Sequence, residues 1–209
     1  MKNIILKELR YRLPYIIISV VVFRLCWYIN KSYNYLEMSY FLFPIIFCGM
    51  LFRSEDEIEL IRTSNTRMST LLVVRYLITF LYMVVLPVVV LIIDGGDLKW
   101  KYVYSLVTTL LFSTSFSLFY RVILKNPYAT ALFSVFTHTL FVFSFRVFLG
   151  SILKISDAKT FQRLSPYGSE TITNKGIYGN NRMIVMGLAL AVIVVSYIIL
   201  RRKEKFYRE

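Results

Sequence analysis

The side chains best equipped for chemistry in this 209-residue chain lie inside its apolar runs. His138 is the single histidine. Thr130, Ser134 and His138 are spaced by four, which puts them on one face of a helix. Ser105, Thr109, Ser113 and Ser117 form a matching stripe on the preceding apolar run. A row of hydroxyls ending on an imidazole can bind water, an amide or the polar group of a cargo. Ser113, Ser117, Ser134 and His138 are therefore the candidates for a polar substrate path. The simpler reading is packing, because small polar side chains at this spacing hydrogen-bond helices together in membranes.

Other chemistries find less support. A lone histidine makes neither a zincin motif nor a Ser-His-Asp arrangement without an acid, and no Asp or Glu stands at the centre of an apolar run. The same absence argues against a proton- or sodium-coupled carrier, whose relays use buried carboxylates. Cys26 and Cys48 lie near opposite ends of the membrane in the topology below, too far apart for a disulfide, and no Cys/His spacing suits a metal. No G-x-x-x-x-G-K-[ST] loop occurs, so no cofactor is expected in this chain, and any ATP and Mg would be held by another subunit.

Composition sets the setting. Hydrophobic residues make up 57% of the chain and charged residues 18%, which excludes a water-soluble domain. The net charge is +13, but the basic residues flank the apolar runs and form no patch of their own. Positive-inside topology accounts for them better than nucleic acid does. The expected partner is the lipid bilayer.

The apolar runs predict an all-α integral membrane protein with six transmembrane helices in a single domain, at 13–29, 36–52, 70–93, 102–124, 128–148 and 183–200. Residues 1–12 read as a basic amphipathic elbow helix on the inner surface, or equally as a basic flank that sets orientation. No small-residue cleavage site follows the first run, so it reads as an uncleaved anchor. Arg24, Arg75, Arg121 and Arg146 lie near span ends and can snorkel. Inner segments carry four basic residues at the N-terminus, three in the central loop, two at the 121–127 turn and five at the C-terminus, against one and two in the short outer loops. Both termini are therefore expected in the cytoplasm. The 149–182 stretch is the longest connection and reads as extracellular, either re-entrant before Pro166 and Gly168 or a plain loop.

The most charged stretch, from Arg53 to Tyr76, links the second and third spans. Ser54 and Glu57 make a capping box. Glu55, Asp56, Glu57 and Glu59 fall in the first turns, where the helix dipole favours acids. Ile58 and Ile61 share a face, and Arg62 follows. The 53–69 segment thus reads as a short amphipathic cytoplasmic helix fixed between two spans. By itself it could simply connect them; its shape also suits a lever pushed by a soluble partner.

This layout resembles the membrane subunit of the type-2 ABC exporters, bacterial permeases for drugs, peptides and lipids. The local match is Glu57-Ile58-Glu59-Leu60-Ile61-Arg62-Thr63-Ser64 followed by Arg75-Tyr76. It is similar to the family's acidic E…GT-x-E-x-L…TP coupling segment and the basic-aromatic start of its third span. Glu57-Ile58 stands in place of the usual Gly-Thr, and Ser64-Asn65 in place of the Pro after Thr. The basic end, Arg201-Arg202-Lys203, is also similar. The resemblance implies a plasma-membrane permease of an ATP-driven exporter. Its partners would be a dimer of cytosolic ABC ATPase subunits and a second permease, in a homodimer or a paralogous heterodimer. It implies ATPase coupling through Glu55, Glu57, Ile58, Glu59, Ile61 and Arg62. The aromatic-rich composition suits a hydrophobic or amphipathic cargo, such as a peptide toxin, bacteriocin, antibiotic or lipid-like molecule. The alternative is a non-transporting membrane protein, for example a bacteriocin immunity or peptide-binding protein.

Overall fold

The computed structural model describes residues 10, 13–18, 20–22, 24–25, 28, 68–93, 100–124, 126–140 and 174–206. The described residues are helical apart from Leu124, Asn126 and Asn174, and none is in a strand. Four helices carry the fold: α1 (Met68–Ile93), α2 (Trp100–Ile123), α3 (Pro127–Thr139) and α4 (Lys175–Phe206). Three of them, α1, α2 and α4, are long and apolar enough to cross a membrane. An α-helix rises 1.5 Å per residue, so their 26, 24 and 32 residues span about 39, 36 and 48 Å. This fits a multi-pass membrane protein.

The faces of α1 are set by side-chain type rather than by hydropathy. Tyr76, Thr79, Met83, Pro87 and Val90 are buried at steps of three and four. Val74, Leu77, Leu81, Val85 and Val89 form the exposed side. Both sides are apolar, as lipid contact requires, and the polar groups collect on the inner one. The helix continues through Pro87.

Helix α2 is the centre of the bundle and packs against α1, α3 and α4. Tyr76, Met83 and Val90 of α1 join Leu106, Leu110 and Leu118 of α2 in one core, with Tyr15, Ile16 and Val20 of the N-terminal helical residues packed against it. On its other side Phe112 meets Val185 and Ala189 of α4. The turn into α3 is tight. Asn126 caps the new helix, its Oδ1 accepting from the Tyr128 and Ala129 amides at 2.8 and 3.3 Å. Pro127 takes the first position, where a missing N–H costs little.

The contacts fix the helix directions. Tyr178 pairs with Lys101, and Arg182 with Thr108 and Thr109, in the same order along both helices, so α2 and α4 run parallel. Helix α3 returns antiparallel to α2, with Tyr120 bonded to Thr137.

Helix α4 begins eight residues before the span expected at 183–200. Residues 175–182 were expected to close the extracellular 149–182 segment, yet they form the first two turns of α4. Asn174 nucleates them: its Oδ1 accepts from the Gly176 and Ile177 amides at 3.0 and 3.2 Å. Gly176, Gly179, Asn180 and Asn181 are poor helix formers and hide the helix from a propensity reading. Packing on α2 outweighs that cost. The Tyr178 hydroxyl donates to the Lys101 carbonyl at 2.8 Å, its ring meets Tyr104 edge-on at 6.3 Å, and Lys101 Nζ sits 5.3 Å from its centre.

Candidate functional site

Helix α2 carries buried hydroxyls on more than one side, as its packing between α1, α3 and α4 requires. Ser105, Thr108, Thr109, Ser113, Thr114, Ser115 and Ser117 are all buried. Thr130, Ser134 and His138 on α3 and Asn181, Arg182 and Ser196 on α4 are buried as well. Together they make a polar seam through an otherwise apolar bundle.

The centre of the seam is Arg182, whose side chain is completely enclosed. Its Nε and Nη2 donate to Asn181 Oδ1 at 2.8 and 2.5 Å. Its Nη1 donates to Thr108 Oγ1 and Thr109 Oγ1, both at 3.0 Å. Thr108 can accept because its own proton goes to the Tyr104 or Ser105 carbonyl, at 2.9 and 3.1 Å. The planar guanidinium spreads its donors over three oxygens, which an ammonium could not do with the same geometry. A fully enclosed cation is costly unless its donors are met, and here hydrogen bonds from Nε, Nη1 and Nη2 meet them. The Arg182 fork also locks α4 against α2.

The residues read as a substrate path are all in the seam, but their hydroxyls turn to their own helices. Ser113 donates to the Leu110 carbonyl at 3.2 Å, Ser117 to that of Ser113 at 3.4 Å, and Ser134 to that of Thr130 at 2.7 Å. These bonds satisfy the hydroxyls without a ligand. His138 lies on the same face of α3 as Ser134 and is 3% exposed. Among the described residues no His, Cys, Asp or Glu cluster could hold a metal. Glu55, Glu57, Ile58, Glu59, Ile61 and Arg62 lie outside the described residues.

A second tie joins α1 to the seam. Tyr76 Oη lies 2.9 Å from Thr114 Oγ1. Thr114 gives its proton to the Leu110 carbonyl at 2.7 Å, so Tyr76 is the donor. Loss of this bond in Tyr76→Phe leaves Thr114 satisfied. The expected cost is therefore small, about 0.5–1 kcal/mol of unfolding free energy measured by steric trapping. A loss above about 2 kcal/mol would contradict this assignment.

Arg182 was missed in the sequence because the Gly- and Asn-rich run before Met183 reads as loop. A signal was present. Tyr178, Arg182, Val185 and Ala189 continue the helical spacing that Ser196 and Leu200 complete, and Asn174 is a good cap.

Comparison of the chain with protein-family models, with curated proteins and with solved structures returns no match. The described residues define a class, a helical protein with three helices long and apolar enough to cross a membrane and a buried polar seam.

Proposed function

We propose that the chain is the membrane subunit of an ATP-driven exporter of the type-2 ABC kind. In this reading it has six spans with both termini in the cytoplasm of a bacterial cell and sits in the plasma membrane. A separate ATPase dimer grips the 54–64 segment, and a second permease completes the transporter. What supports the reading is the sequence itself, an acidic stretch at 55–59 with a capping-box pattern shortly before α1, together with the buried Arg75 and Tyr76 in the third turn of that helix. In this reading a push delivered to the start of α1 travels along that helix, and the Tyr76–Thr114 hydrogen bond passes it to α2. The helix directions also agree with alternating spans: α2 and α4 run parallel, and α3 runs against α2.

The cargo in this reading is hydrophobic or amphipathic, in keeping with a bundle whose outer faces are apolar. Switching would require the seam to part, and the Arg182 fork is the contact that must yield or move as a unit.

A non-transporting role, such as immunity to or binding of a membrane-active peptide, is favoured by one observation. The seam hydroxyls are satisfied by their own helices, as in a static bundle. Purification of the tagged chain in mild detergent separates the two. The exporter reading expects an ATPase with a phosphate-binding loop to accompany it; a folded chain that purifies with no ATPase favours the second reading.

A further inference from the structure

We infer that the C-terminal end of α4 is a binding site for an anionic phospholipid headgroup. Tyr197, Ile198, Arg201 and Arg202 line a half-open hollow of about 320 Å³ on the outer side of the helix. This lies at the low end of ligand-pocket volumes, about 300–1,000 Å³, and suits a headgroup rather than a whole lipid.

The placement follows from α4 itself. Ser196 and Leu200 are buried against the bundle. Tyr197 and Ile198 are 43% and 46% exposed, so the hollow faces away from the bundle. The apolar run of α4 ends at Leu200, which sets Arg201 and Arg202 at the edge of the hydrocarbon. Tyrosine is favoured at that level because its ring is apolar and its hydroxyl is wet.

Charge selects the occupant. Arg201 and Arg202 are exposed, and neither makes a hydrogen bond or ion pair among the described residues. Two adjacent guanidinium groups present forked donors that match phosphate oxygens. Ile198, one turn before Arg202, offers an apolar wall for the first methylenes of the chain. A zwitterionic headgroup brings its own cation close to the arginines and gains less. The occupant is therefore a lipid of net negative charge, such as phosphatidylglycerol. This inference needs only that α4 ends at a membrane surface and does not depend on the exporter reading.

The test uses the full chain carrying Tyr197→Trp in phosphatidylcholine nanodiscs with graded brominated phosphatidylglycerol. The quenching of that tryptophan is read after subtracting the parent protein. Each arginine near an anionic surface contributes about a five-fold preference, so Arg201→Gln/Arg202→Gln is expected to need about thirty-fold more brominated phosphatidylglycerol for half-maximal quenching. Either single variant, with an expected loss of about five-fold, carries the test if the double variant does not insert. Equal quenching by brominated phosphatidylcholine would overturn the proposal, as would quenching unchanged in the variants. Quenching relieved by inorganic phosphate would also overturn it, by showing a phosphate site rather than a lipid site.

Discussion

Arg182→Ala is expected to lower the unfolding free energy by about 3 kcal/mol, the largest loss for any single truncation in the seam. The substitution removes a long, fully enclosed side chain and its bonds to Asn181, Thr108 and Thr109. Hydrogen bonds to charged groups contribute about 1.5–3 kcal/mol in soluble proteins. Interhelical bonds in membranes average nearer 0.6 kcal/mol, because the separated helices find other partners. The cavity adds to the lower figure. Arg182→Met refills much of the volume without the bonds, and Arg182→Lys keeps the charge without the fork. Methionine should recover the packing part only, and lysine less than half of the loss. Steric trapping in bicelles measures all three. An Arg182→Ala value within about 0.5 kcal/mol of the parent would contradict the enclosure of Arg182 and return residues 175–182 to a surface connection.

Reversal of two charges in the acidic segment, Glu57→Lys/Glu59→Lys, is expected to weaken ATPase association at least about hundred-fold and to abolish export. Truncating one member of a buried, hydrogen-bonded charge pair at an interface costs about 2–5 kcal/mol, and reversal adds repulsion. Those positions lie outside the packed bundle in the proposed topology, so insertion and the helical spectrum should be unchanged. Glu204→Lys is the matched control. It makes one charge reversal of the same kind on the same proposed side and should leave association intact. Association that survives the double reversal would show that these carboxylates do not contact the ATPase.

How much of this was legible in the sequence differs from helix to helix. Continuous apolar length marks α1 and α2, since hydropathy around 70–93 and 102–124 needs no knowledge of neighbours. Their facing was not readable from hydropathy, because a lipid-facing leucine such as Leu81 and a core residue such as Met83 are equally apolar. The hydroxyl stripe of α2 was readable as a pattern, and the structure buries it. The start of α4 was hidden because its helix formers are weak, and its stability comes from tertiary contacts of Tyr178 and Arg182 with a helix over seventy residues away. Local propensity carries no trace of such contacts. For the same reason Arg182, at the end of the expected 149–182 segment, carries no local sign of its enclosure.

The most direct test of the exporter account is a photo-crosslink from the acidic segment itself. A benzophenone side chain placed at Ile58 is irradiated in living cells, and the captured protein is identified. The account predicts a single cytosolic protein carrying a G-x-x-x-x-G-K-[ST] loop, with capture lost in the Glu57→Lys/Glu59→Lys background. Crosslinks to lipid alone, or to no nucleotide-binding protein in cells where the chain is folded and inserted, would contradict it.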